Sequence, residues 1–492
     1  MEFGSVTKYL QDKTILVIGA TGFLAKIFIE KILRTQPNVK KLYLLLRAGD
    51  TKSATQRLHN EIIRTELFSI LRERYNSNFD DFISAKVTMV PGDTSSLDLG
   101  VKDFNLRKEM WREIDIVVNL AAVTIFDERY DVALSTNTLG ALNAMNFAKK
   151  CDRIEMFLHT STAYVCGEKE GIIVEKSYHM GEPPNGMYEL NIDKEMKIVK
   201  EKLNQLRLQN ATEEAITLAM KNFGIKRARL YGWPNTYVFT KAMGEMLLRH
   251  FKADLPLVLI RPTMVTSTYK EPFPGWIEGL RNVNPIILAQ GKGKMSYFLG
   301  NPNTVLDLIP ADMVINAMIV AMMAHTNQSC EIVYHIGSSL RNPLKFLNVN
   351  DYSFRYFVKN PLIDMKGNLI EVGETTLLSS MNEFLLHMAF HYVLSQKGRY
   401  LNYGEAFTDF AHKTNSLIRM AELYEHFAFF SGIFDDRNAE NLQIAARECV
   451  VDVNAFNFDP KCIDWEDYVM NIIIPGLLRH VVKRSNTYVS ML

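Results

Sequence analysis

The segment "TILVIGATGFLA", residues 14–25, constrains the fold of this chain more than any other. An unbroken apolar run meets a glycine-rich turn and passes directly into a helical pattern. The run reads as a strand buried on both faces, which is how strands in helix-covered parallel sheets look. Gly19 and Gly22 let the backbone turn tightly and approach a pyrophosphate, and Ala25 lets the helix pack closely on the strand. The amides at the helix start can then receive phosphate charge. Gly19, Thr21, Gly22, Phe23 and Leu24 are therefore candidate contacts for a dinucleotide. A lone glycine pattern carries little weight, but strand, glycine turn and helix in that order supply the context it needs.

The pattern continues as strand and helix alternate. After "FLAKIFIEKILRTQP" come the apolar runs "KLYLLLR" (41–47), "VTMVPGD" (87–93), "DIVVNLAA" (115–122), "IEMFLHTSTAYV" (154–165) and "LPLVLIRPT" (255–263). Six such runs predict an α/β fold, a doubly wound Rossmann-type parallel sheet. Residues 168–231 are polar, charged and mainly helical in pattern, and read as a helical insertion between the fifth strand and the next helix. The alternation ends near 345. The expected division is a dinucleotide-binding domain over 1–345 and a smaller, mainly helical C-terminal domain over 346–492.

In a doubly wound sheet, ligands gather beyond the carboxyl ends of the strands. The second strand ends there on Arg47. An NAD site usually has an acid at this place for the ribose 2′-hydroxyl, whereas a guanidinium suits a 2′-phosphate. The expected cofactor is therefore NADPH. Asp93, Ala121, Ala122 and Pro262, at the ends of the third, fourth and sixth strands, are further cofactor candidates. The fifth strand delivers Ser161 and Thr162, and "YVFTK" places Tyr237 and Lys241 four residues apart on the next core helix, hence on one face. Reducing a carbonyl builds negative charge on its oxygen, which needs donors aimed at it. Thr162 would supply one, with Ser161 the less favoured alternative. Tyr237 would supply the other and the proton. The Lys241 ammonium would lower the phenol's pKa and hold ribose hydroxyls. Cys166 has no histidine paired with it by any motif, and hydride delivery needs no nucleophile. His159 reads as a packed histidine, and the methionine-rich run 313–324 as core.

A net charge of +1, with 23% charged residues, speaks against a nucleic-acid partner. Five cysteines without CxxC spacing speak against structural zinc or a disulfide framework. No secretory signal and no transmembrane run is expected. The nearest approach, residues 377–395, is interrupted by Asn382, Glu383, His387 and His391 and reads as a buried or half-buried helix.

The glycine turn, the hydroxyl cluster and Tyr237–Lys241 resemble an extended short-chain dehydrogenase/reductase. Longer segments, "GWPNTYVFTKAMGE", "IRPTMVTSTYKEPFPGWIEG", "DLIPADMV", "GIFDDRNAENL", "FNFDP" and "IDWEDY", resemble the plant alcohol-forming fatty acyl-CoA reductases over nearly the whole chain. The resemblance implies reduction of a long-chain fatty acyl-CoA by NADPH to an aldehyde and then to a primary alcohol. It also implies a C-terminal domain associated with the acyl substrate, and peripheral attachment at the cytosolic face of the endoplasmic reticulum. Three features depart from the family pattern: Ile18 where Thr is usual, Ile125 where a polar residue is common, and a short stretch at 394–408. A sugar-nucleotide or phenolic reductase or epimerase, and a non-catalytic dinucleotide-binding scaffold, are the alternatives.

Overall fold

The computed structural model describes residues 9–482 apart from 327, 365, 397–417, 420 and 450–454. Most of the stretch 394–408 therefore lies outside the described residues. Seven parallel strands form the central sheet: β1 (Thr14–Ile18), β2 (Lys41–Leu46), β3 (Val87–Pro91), β4 (Ile116–Asn119), β5 (Met156–Thr160), β6 (Leu257–Pro262) and β7 (Glu331–Ile336). Their order is β7-β6-β5-β4-β1-β2-β3. The chain winds outward from β1 in one direction, then returns to start β4 on its other side. The crevice between β1 and β4, where the direction reverses, is where such sheets bind ligands.

Every residue of β1, β4, β5 and β6 is buried, as their unbroken apolar runs require. The helix α1 (Phe23–Thr35) covers one face beside α2 (Ala311–Ala324), whose methionines are all buried. That run is core, as expected. The seventh strand, β7, was not anticipated. "EIVYHI" carries Glu331 and His335, and its strand character comes from pairing with β6, Glu331 opposite Leu257. Its charges are met by tertiary partners: the Glu175 carboxylate accepts from the His335 amide at 2.8 Å, and Arg249 pairs with Glu331 at 3.5 Å.

The insertion is helical only in its second part, Ile192–Leu208 and Glu213–Leu230. These helices are tied together by Arg227 on the buried Glu195 carboxylate, which also accepts from Tyr130 at 2.9 Å. The first part instead forms a short strand, Gly171–Ile173, parallel to Gly432–Phe434 from the far end of the chain. A second short pair joins Tyr297–Leu299 to Thr376–Leu378. Residues beyond 345 thus pair with the earlier chain and share one apolar core with it, which includes Phe346, Phe427, Tyr468 and Ile474. The Tyr468 hydroxyl donates to Ser267 O at 2.6 Å, and the Trp465 indole to Asn342 O at 3.0 Å. Residues Met381–Gln396 form the helix expected near 377–395. Among the described residues, no helix is long and apolar enough to cross a membrane.

Candidate active site

The turn after β1 is shaped by how closely the next strand approaches it. Gly19 has φ +83°, and a Cβ there would lie 2.7 Å from both the N and Cα of Ala121. Only glycine adopts that backbone cheaply, and only a bare Cα fits beneath the β4 loop. The helix α1 follows at once, capped by Gly22 with no side-chain hydrogen bond. Its first-turn amides have no partner within the helix. Bare glycines, free amides and the small side chains of Ala121 and Ala122 fit a dinucleotide diphosphate.

A cavity of about 550 Å³ opens beside this turn. Gly22, Phe23, Leu24, Ala122, Ser161, Thr162, Tyr237 and Pro262, all candidates from the sequence, line it. Thr21 sits within the turn itself. A second recess, at the ends of β2 and β3, is lined by Arg47, Asp93, Lys102 and Arg107. Arg47 is exposed and forms no ion pair with a described carboxylate. Asp93 accepts from the Ser95 amide at 2.8 Å, which holds the turn after β3.

The helix α3 (Thr236–Phe251) starts at a cap, Asn235, whose side chain accepts from Val238 N at 3.1 Å. This fixes Tyr237 in the first turn, facing the end of β5. Burial pushes its phenol up to about 12, opposed by the Arg281 charge and by a hydrogen bond with Thr162. Ser161, equally buried, has a hydroxyl with no partner.

Lys241 is buried beside the end of β5. Its Nζ donates to Thr160 O at 2.7 Å, and burial pushes its ammonium down to about 8, with Glu245 opposing. The Arg281 charge also acts on the Tyr237 phenol. Arg281 was not anticipated. It stands in the loop after β6, two residues past the segment ending at Gly279, and nothing in "LRNVNP" marks it as part of a site.

His159 is neutral and packed: its Nδ1 bonds the Asn119 amide at 3.1 Å, and burial lowers its pKa. Cys166 is enclosed, with burial pushing its thiol up to about 12, so no ready thiolate exists. Among the described residues, no group of three His, Cys, Asp or Glu could hold a metal ion.

Beyond Tyr237 the cavity turns apolar. Ile286, Phe298, Leu306, Phe346, Tyr424 and Phe427 wall it. Phe427 stacks on Phe126 at 4.9 Å between ring centroids, and Phe126 lies 6.4 Å from the Tyr237 ring. The wall is assembled from segments far apart in sequence. Periodicity marks "NSLIRMAELYEHFAFF" as a helix without showing which partner its aromatic face meets. Ile125 is 53% exposed at the cavity mouth.

Fold, glycine turn and hydroxyl–tyrosine pair define an extended short-chain dehydrogenase/reductase that binds a nicotinamide dinucleotide. An NAD-binding family model described as male sterility protein matches residues 17–318, and a second model of the same description matches 385–484. The chain is 50% identical to the alcohol-forming fatty acyl-CoA reductase of Simmondsia chinensis, over 98% of this chain and 99% of that one. It is also 50% identical to fatty acyl-CoA reductase 1 of Arabidopsis thaliana, over 97% and 99% of the two chains. Fatty acyl-CoA reductase 2 of Homo sapiens is 27% identical over 98% and 87%. The chain belongs to the fatty acyl-CoA reductase family. Among solved structures, the terminal R domain of the myxalamid biosynthetic pathway matches with TM-score 0.58 at 16% identity, covering 97% of this chain and 93% of that one. The reductase domain of a Mycobacterium tuberculosis nonribosomal peptide synthetase matches with TM-score 0.56 at 16% identity, covering the same shares. At that identity the likeness is one of fold.

Proposed function

We propose that this chain reduces a long-chain fatty acyl-CoA to the primary alcohol, through the aldehyde, with NADPH as reductant. The observation that carries the reading is one continuous cavity, with donors to a carbonyl oxygen at Thr162 and Tyr237 and an apolar chamber behind them. That shape fits a molecule with one reactive carbonyl and a long hydrocarbon tail. A sugar nucleotide would set its hydroxyls against Phe298, Leu306 and Phe346 without partners, which is costly.

A reduced nicotinamide bound at this cleft supplies hydride. The residues of the chain do the rest. Thr162 and Tyr237 donate hydrogen bonds to the thioester oxygen as it gains charge, which is the stage at which such donors act. Loss of the CoA thiolate restores a carbonyl and leaves an aldehyde. Thr162 and Tyr237 then hold that aldehyde oxygen, and Tyr237 gives its proton to the resulting alkoxide. In total, two hydrides and two protons convert the thioester to an alcohol and free CoA thiol. The apolar wall excludes water from the chamber. Lys241 holds the end of β5 through Thr160 O and keeps Thr162 in place.

Support for NADPH over NADH lies in Arg47, with Lys102 and Arg107 across the same recess and no carboxylate at the end of β2. The proposal extends to peripheral attachment at the cytosolic face of the endoplasmic reticulum, where an insoluble product would partition. Purified protein supplied with NADPH and acyl-CoAs of graded length is expected to yield primary alcohol, followed by gas chromatography. Tyr237→Phe keeps the ring and removes the proton donor, and should lower kcat by roughly a hundredfold or more. Bound NADPH without consumption across all chain lengths would overturn the proposal.

A further inference from the structure

The catalytic cavity has a single cationic side chain in its lining among the described residues, and neither the glycine turn nor the Tyr–Lys pair accounts for it. Arg281 stands at the mouth. Its guanidinium carbon lies 5.9 Å from the centroid of the Phe23 ring, at the first residue of α1. Its Nη1 is 3.5 Å from Thr124 Oγ1, in the loop after β4. The side chain therefore spans the two loops that flank the β1–β4 crevice.

Two anchors hold Arg281 in this place. Asn282 donates to Val265 O at 2.8 Å, and Glu278 pairs with Lys26 of α1 at 2.8 Å. Lys26 holds the Glu278 carboxylate, while Arg281 donates from Nε to the Glu278 carbonyl at 3.2 Å. It forms no ion pair with a described carboxylate. A guanidinium is a planar fork of donors suited to phosphate. Here it stands over the Phe23 ring at the start of α1. Its charge also opposes the effect of burial on the Tyr237 phenol.

We propose that Arg281 is an anion clamp, which closes on the diphosphate of the nicotinamide dinucleotide from the side opposite the α1 amides. The shared chemistry is a diphosphate ester, which acyl-CoA also carries. The cofactor is favoured because only a ribose separates its diphosphate from the nicotinamide. A full pantetheine arm separates the CoA diphosphate from the thioester that must reach Tyr237. The inference rests on the dinucleotide part of the proposed function and not on the identity of the acyl substrate.

The test is direct binding without acyl-CoA. NADPH is titrated by its nicotinamide fluorescence into wild type, Arg281→Gln and Arg281→Lys, and free CoA is titrated by calorimetry into the same three proteins. Loss of a charge-assisted contact should weaken NADPH binding in Arg281→Gln by roughly ten- to a hundredfold. Arg281→Lys should recover most of it. Affinity in the wild type should fall more steeply with salt than in Arg281→Gln, as one fewer charge is neutralised. CoA binding should change little. NADPH affinity within twofold of wild type in Arg281→Gln overturns the proposal, and so does a loss confined to CoA. Wild type that binds NADPH but reduces no acyl-CoA would refute the substrate and leave the clamp measurable.

Discussion

Replacing Gly19 by alanine tests the close backbone approach beneath the β4 loop in the cofactor cleft. Two penalties add. The residue sits at φ +83°, where an L side chain clashes with its own backbone, at a cost of about 1–2 kcal/mol. The new methyl would also stand 2.7 Å from Ala121 N and Cα and 3.0 Å from Leu120 C. Those atoms are backbone, fixed by the Leu120 amide on Ile18 O at 2.9 Å and by Asn119 accepting from the Ala121 amide at 3.2 Å. Neither can swing aside as a side chain tip can. Forcing them apart is an overpacking strain of about 1–3 kcal/mol. The expected loss is therefore about 2–5 kcal/mol, shared between a lower unfolding midpoint and a widened crevice. Thermal melting and NADPH titration read the two parts. The midpoint should fall by several degrees, and cofactor affinity by about tenfold or more. Gly373→Ala is the control, because its φ is not positive and nothing lies within 4 Å of the added carbon. If Gly19→Ala melts with the wild type and binds NADPH within twofold of it, the close-approach argument is wrong.

Lys241 sets a pH limit. Burial lowers the pKa of this base from 10.5 to about 8, so it is charged below pH 8 and neutral above it. Its bond to Thr160 O loses charge assistance there, so activity at saturating NADPH should fall as pH rises through about 8, and a flat profile to pH 9.5 would remove the Lys241 charge from the working site. Arg47→Glu should reverse cofactor preference, and the ratio of kcat/KM for NADPH to that for NADH, measured on one acyl-CoA, is expected to drop at least tenfold. Phe346→Ala removes a ring that is 3% exposed and lines the apolar end of the cavity, so the alcohols formed should shift to longer chains. Its unfolding midpoint should fall too, since truncating a buried Phe costs about 3–5 kcal/mol. An unchanged product spectrum with a lowered midpoint would place the chain elsewhere.

The sequence by itself determined the sheet's inner strands, the glycine turn and the common face of Tyr237 and Lys241. Each is written locally: short apolar runs bounded by turn residues read as strands covered on both faces, and residues four apart on a helix share a side. The same local rules are silent where the partner is distant. β7 contains Glu331 and His335 and is a strand because β6 offers an edge and Arg249 and Glu175 satisfy its polar groups. The first part of the insertion pairs with residues 432–434, a register no local pattern records. Lys241 and Arg281 show the point within the site. Spacing puts Lys241 on the face of Tyr237, and the fold adds that its ammonium donates to Thr160 O and that Arg281, forty positions on, also acts on the phenol. Where a charge acts depends on distances across space and on which anion is already taken. Those are properties of the folded chain, and the order of its residues does not state them.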